Sequence, residues 1–237
     1  MSSINLNEII LLKSNKHYRL ADLIFCQGLR AHYDRQIILS DSKYKDSFLK
    51  YYLDENFRIN PDFEELNSIF LKKSILEFSK NIKTCDDNLY LNIRLGDVVM
   101  DEYNNINTVY SHGVINNTFI FNEAKIIRLI SKKIKLNPFI KSISFVMALH
   151  FGNNDIYGLW GFNQEALDEN FKRLNSILKK IEEKFNLPIS LLLPSGNSIK
   201  VIDNHFITLC TAKNVIIDGS GFGDLITKSR QILKNNL

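Results

Sequence analysis

Arg94, Gly96 and Asp97 arrive together where an alternating run, Leu89-Tyr90-Leu91-Asn92-Ile93, should end. An arginine fork grips phosphate oxygens, a glycine lets the backbone turn sharply or approach a ligand, and a nearby carboxylate orients the arginine or caps the next element. A second stretch of this kind comes late in the chain. Val215-Ile216-Ile217 leads into Asp218-Gly219-Ser220-Gly221-Phe222-Gly223, where a hydroxyl, free amides at a helix start and missing Cβ atoms make an anion cradle. It has neither the Lys-Ser/Thr of a Walker loop nor the Gly-x-Gly-x-x-Gly of a dinucleotide fingerprint. Each stretch also reads as ordinary turn chemistry, so their placement on the fold decides between the two.

General bases are available near these stretches: Asp22, Asp97, Asp101, Glu102, His112, His150 and Asp155. His150 is preferred, because it closes the apolar run Ile143 to Leu149 and opens the polar His150-Phe151-Gly152-Asn153-Asn154-Asp155. Tyr157 and Trp160 offer aromatic faces for a sugar or anchors for their loop. No Asp-x-Asp occurs, so a metal clamp on a diphosphate is not expected, and an arginine with a helix amino terminus would replace the cation.

The elements that must position these residues alternate between strand and helix. Ile9 to Leu12, Tyr18 to Tyr33 and Ile37 to Leu39 read as strand, helix and strand. Pro61-Asp62 opens a helix carrying Phe63, Leu66, Ile69, Phe70, Leu76 and Phe78, and the polar run Asn81 to Asn88 reads as a linker. Residues 100–118, rich in Asn and without a period, read as a long loop. A helix over 121–135 stops at Asn137-Pro138, and the longest helix, 163–186, stops at Leu187-Pro188. Strands at Ile189 to Leu193 and Val215 to Ile217 come next, with helices at His205 to Thr211 and 224–235. The expectation is an α/β protein with two Rossmann-like domains on parallel sheets, a small one over 1–84 and a second over 85–237.

Composition sets the outer limits. The 237 residues and 45% apolar content suffice for a packed core, and 30 basic against 26 acidic residues leave a formal charge of +4. That excess is too weak to argue for nucleic acid, no aromatic-interleaved basic stripe or finger spacing is present, and no nucleic-acid partner is expected; the charge suits an anionic cofactor or, at most, peripheral contact with an anionic membrane. Cys26, Cys85 and Cys210 form no Cys-x-x-Cys pair and read as buried free thiols. The start Met-Ser-Ser-Ile-Asn, with Glu8 close behind, lacks a signal-peptide layout, and no apolar run reaches membrane-spanning length. A cytoplasmic protein is expected, with the inner face of the membrane as the alternative.

The order of these motifs over residues 86–237 resembles the α-1,2/α-1,6 fucosyltransferase superfamily of GT-B glycosyltransferases. Its donor domain opens with a strand ending His-x-Arg-Arg-Gly-Asp and closes with an Asp-Phe...Cys helix, a short strand and a Ser-Ser-Phe-Ser turn. Here the first motif reads Asn92-Ile93-Arg94-Leu95-Gly96-Asp97. The second reads Asp203, Phe206 and Cys210, then Asn214 to Ile217, then Ser220-Gly221-Phe222-Gly223. His150 to Asp155 stands where the family has Phe-Ser-Asp-Asp. Tyr18 to Phe25 takes the place of a Gly-Leu-Gly-Asn-Gln-Met-Phe loop but keeps neither glycine.

The resemblance implies a GT-B-like fold and metal-independent transfer of a sugar, with fucose the candidate, from a nucleotide-diphosphate donor to a glycan. No cofactor is implied beyond that donor, and a GDP-sugar is favoured. Arg94 would bind the diphosphate and stabilise the leaving group, Asn92 would lie beside the nucleotide, and Asp203 would face its base. Ser220, Gly221, Phe222 and Gly223 would cradle the phosphates, and Asp97 would orient the Arg94 loop. The family's His is Asn92 here, its second Arg is Leu95, and its Trp-Trp is Asp224-Leu225. Those departures support an alternative, a catalytically degenerate GT-B protein that binds a nucleotide or glycan. The sequence does not fix the acceptor or the oligomeric state.

Overall fold

Five consecutive residues, Asn88 to Asn92, are buried on both faces, which requires a strand with neighbours on each side. The computed structural model describes residues 45–48, 50–52, 68–92, 98–100, 106–108, 122–146, 164–192, 198–217 and 221–234. At 98–100, 106–108, 164, 167, 198–200 and 221 it describes the backbone alone. The first strand-helix-strand unit expected from the sequence lies outside the described residues.

Within them the chain runs α1 (Ser68–Ser79), β1 (Asn88–Asn92), β2 (Val98–Met100), β3 (Ile106–Thr108), α2 (Glu123–Leu136), β4 (Ser142–Val146) and α3 (Gln164–Phe185). It continues through β5 (Ile189–Leu192), α4 (Ser198–Thr211), β6 (Asn214–Ile217) and α5 (Gly221–Lys234). The architecture is α/β, with a four-stranded sheet in the order β5-β4-β1-β6 and every pair parallel. From β1 the chain steps to β4 and then β5 on one side, then returns to place β6 on the other. The order reverses between β1 and β6, which makes their carboxyl ends a topological switch point.

Residues paired across a parallel ladder share a face. Leu89, Leu91, Ile143, Phe145 and Ile216 therefore join one core with Ile126 and Ile130 of α2 and with Phe171, Leu174, Ile177, Leu178 and Ile181 of α3. Burying each of these side chains contributes about 1.5–3 kcal/mol. The other face carries a polar network beside the buried Tyr90, Val146 and Val215: Asn88 Nδ2 donates to Ser144 Oγ at 2.8 Å, Ser142 Oγ donates to Asn88 Oδ1 at 2.7 Å, and Ser144 and Ser190 hydroxyls meet at 2.7 Å.

Local chemistry sets where the helices stop and start. Asn122 caps α2 by accepting from Lys125 N at 2.9 Å, and Asn137 closes it by donating its N–H to Lys133 O at 2.9 Å before Pro138. α3 gives way to Asn186 in the left-handed region, φ 50°, where asparagine is tolerated better than most residues.

The chain divides into two compact units. One carries the sheet with α2, α3 and the antiparallel β2–β3 pair, which lies against α3. The other carries α1, α4, α5 and the helical residues near Phe48. In it α1, α4 and α5 pack on one another. Phe206 lies 4.9 Å from Phe48 and 6.1 Å from Phe222, ring centre to ring centre. Arg230 reaches the end of α4, where one guanidinium nitrogen donates to the carbonyls of Leu209, Cys210 and Ala212 at 2.7–3.0 Å, satisfying acceptors a helix end leaves open.

Three expectations need correction. β2 and β3 occupy part of the expected 100–118 loop, because Val98, Val99, Ile106 and Thr108 favour strand but in runs too short to show a period. α4 begins at Ser198 rather than His205, and α5 begins at Gly221, so Phe222 and Gly223 are helical. Cys85 is exposed in the polar run before β1, whereas Cys210 is buried.

Phe145 is fully buried and Phe139, in the turn before β4, is 77% exposed. Phe145→Ala should lower the unfolding free energy by about 3–5 kcal/mol and Phe139→Ala should change it by no more than about 0.5 kcal/mol. Urea unfolding followed by far-UV circular dichroism measures both, and equal losses would refute this assignment of the core.

Candidate functional site

The register fixes which chain segments leave the sheet side by side. Asn92 pairs with Val146 on one flank and with Ile217 on the other, so β4, β1 and β6 end in one row. Asn92 is buried at the end of that row. Arg94 and Asp97 come directly after it in sequence, His150 after Val146, and Ser220 after Ile217. Arg94, Asp97, His150 and Ser220 themselves lie outside the described residues. The three strand ends that precede these residues in sequence lie side by side, on both sides of the switch point.

The helices behind the core present their amino ends to the same edge. α2 and α3 each return through a short turn to the amino end of a strand, so they run antiparallel to the sheet. Glu123, in the first turn of α2, accepts from Arg173 Nη2 at 3.0 Å and from Lys180 Nζ at 3.3 Å, which ties the start of α2 to α3. Arg173 Nε is buried without a hydrogen-bond partner among the described residues. Nothing in local sequence marks this cluster, because its members are brought together only by packing.

Gly221, Phe222 and Gly223 form the first turn of α5, directly after Ser220. Helical N–H groups in a first turn have no intrahelical acceptor, and this start has two residues without Cβ atoms. Phe222 packs its half-buried ring toward Phe206, and Gly223 is buried.

Asp203 is built into the helical unit. It is 3% exposed, and Oδ2 accepts the Phe48 N–H at 2.8 Å. Ser47 Oγ accepts from Lys50 N at 3.1 Å, capping the same turn, so the Asp203 carboxylate stands at a helix-like amino end that favours negative charge. Oδ1 is buried with no partner among the described residues. Burial raises the Asp203 pKa to about 7 and outweighs the bond from Phe48, which lowers it. His205, two residues on, is pushed down to about 4 by burial and is neutral near pH 7. The tie from Asp203 to Phe48 had no signal in the sequence, where the segment around Phe48 has only weak periodicity.

Asn92 thus belongs to the sheet unit, and Asp203, Gly221, Phe222 and Gly223 belong to the helical unit. Among the described residues no three of His, Cys, Asp and Glu stand close enough to hold a metal ion. No family model, curated protein or solved structure matches the chain.

Asp203 and His205 give opposite pH dependences. Between the ordinary 3.8 and about 7 the folded chain holds a proton on Asp203 that the unfolded chain has released, so this group's stabilisation is complete at low pH and is lost as pH rises. Between about 4 and the ordinary 6.5 the unfolded chain protonates His205 and the folded chain does not, so that contribution is lost as pH falls. Over about pH 4 to 6.5 the two slopes, each at most ~1.4 kcal/mol per pH unit, oppose one another. Relative to the parent, Asp203→Asn should gain stability as pH rises through this window, and His205→Gln should lose it. Parallel stability curves for both variants and the parent would show that neither group is shifted.

Proposed function

We propose that this chain is a metal-independent, GT-B-type glycosyltransferase that moves a sugar from a nucleotide-diphosphate donor, GDP-fucose being the first candidate, to a glycan. One observation carries the reading: Asn92 and Ile217 are register partners, so the Arg94 motif and the Ser220 motif leave adjacent strands at a switch point. An anion held there would meet a guanidinium after one strand and a serine hydroxyl after the next.

In this reading Arg94 grips the diphosphate and stabilises the charge that builds on it as the glycosidic bond breaks. Ser220 holds the same phosphates. Asp97 orients the Arg94 loop, and His150, beyond the neighbouring β4, takes the proton of the acceptor hydroxyl. The two-domain GT-B architecture and a cytoplasmic location, at the inner face of the membrane where it docks, belong to the same reading. Among the described residues no helix is long and apolar enough to cross a membrane.

A second reading, a nucleotide- or glycan-binding protein without turnover, is favoured by Asn92. A buried amide stands where the resembling family has a histidine, and an amide moves no proton near neutral pH.

Thermal shift with GDP, UDP, ADP and CMP tests the binding site, comparing the parent with Arg94→Ala. A nucleoside diphosphate at about 10 times its Kd should stabilise by ~1.4 kcal/mol, roughly 3–5 °C for a chain of this size, and Arg94→Ala should lose most of that shift. If no nucleotide shifts the parent, or the variant responds equally, the site is misassigned. Turnover of a sugar-nucleotide panel in the presence of EDTA then separates the transferase from the binder.

A further inference from the structure

α2 has two faces of opposite character. Ile126 and Ile130 are buried against the sheet, while Lys125, Arg128, Lys132 and Lys135 are all exposed. Their spacings of three, four and three residues place the four cations on one face, opposite the core. No Asp or Glu occurs between Glu123 and Asp155. Like charges three and four apart repel, so the stripe weakens the helix that carries it unless something negative lies against it.

The stripe ends in an apolar tip. Leu136 and Phe139, on either side of Asn137-Pro138, are 73% and 77% exposed. The nearby carboxylates already face cations of their own: Asp87 lies 3.8 Å from Lys141, and Asp86 lies 3.9 Å from Lys213. Lys132 and Lys135 are in no ion pair among the described residues.

We infer that the outer face of α2 and the turn after it dock this chain on an anionic lipid bilayer, with the lysine stripe against the headgroups and Leu136 and Phe139 entering the acyl boundary. Charge complementarity selects the partner. A row of cations attracts any polyanion, but a nucleic acid backbone offers nothing to two protruding apolar side chains, whereas a bilayer interface takes both. Another protein would have to bury ~800 Å² of this chain's surface in a stable complex, and beside the cations only Leu136 and Phe139 are there to form its apolar centre.

The test uses the full chain in vesicle flotation, with phosphatidylcholine alone or with roughly a third phosphatidylglycerol. Partition onto the anionic vesicles should exceed that onto neutral ones by about tenfold or more and should fall as salt is added. Lys132→Glu with Lys135→Glu, and separately Leu136→Ser with Phe139→Ser, should each reduce it about tenfold at an unchanged melting temperature. Phe139→Trp reports insertion directly through a blue shift of its emission on anionic vesicles, measured against the parent with its one tryptophan. This readout stands even if a double variant fails to fold. Equal partition onto neutral and anionic vesicles, either folded double variant binding like the parent, or no emission shift for Phe139→Trp overturns the inference. So does RNA binding as tight as vesicle binding and insensitive to loss of Leu136 and Phe139, which would identify a nucleic-acid surface.

Discussion

β1 is hydrogen-bonded to parallel partners along both edges, and the placement of the sheet depends on it. Its five residues are buried, so each backbone donor and acceptor must be met by β4 or β6. Side chains alternate across a strand, so a slip of one residue would turn Leu89 and Leu91 away from α2 and α3. The same slip would part Asn88 from Ser142 and Ser144. The buried apolar side chains make the slip costly, and the Asn88–serine network makes the correct register specific. A buried asparagine stripped of its serine partners would leave its amide unsatisfied, at a cost of about 1–3 kcal/mol.

That register gives the two edges of the sheet different characters. At the amino edge, Asn214 Nδ2 donates to Asp86 O at 2.7 Å, and Asn137 Nδ2 donates to Asn214 Oδ1 at 3.0 Å. Lys141 N donates to Asp87 O at 2.7 Å, and the three hydrogen bonds stitch together the chain entering β1, β4 and β6. At the carboxyl edge the same three strands end in Asn92, Val146 and Ile217, with arginine, histidine, serine and glycine next in sequence. An edge sewn together by short backbone and asparagine side-chain bonds holds the strands in place. The opposite edge is where the three strands hand over to the segments proposed to meet the donor.

Much of this was legible in the sequence where a signal repeats. α3 is readable because Phe171, Leu174, Ile177, Leu178 and Ile181 recur three and four apart, and β1, β4 and β6 because short apolar runs end in polar punctuation. α2 carries both its stop signals, Asn137 and Pro138. β2 and β3 were hidden because a three-residue strand has no measurable period. The start of α5 was hidden because three residues of glycine and phenylalanine read as a turn, although a helix accepts them in its first turn. Long-range ties leave no local trace: Asp203 meets Phe48 across 155 positions of chain, and Arg230 closes the end of a helix other than its own. The chemistry of Arg94 and Ser220 could be read from their residue types, but the adjacency of Asn92 and Ile217 came only from the strand order.

α2 links the two surfaces to which function is assigned. Its 14 residues rise ~21 Å, from Glu123 beside the carboxyl edge to Leu136 at the amino edge. Its inner face belongs to the core, and its outer face carries the cations. A bilayer against that outer face therefore meets neither the core nor the ends of β1 and β6, and the apolar tip enters it at the edge remote from the motif segments. A donor bearing a diphosphate is repelled by anionic headgroups and must arrive from water. In the proposed arrangement the cations that would hold an anionic membrane line the outer face of α2, and the ends of β1 and β6 lie on the sheet behind its inner face.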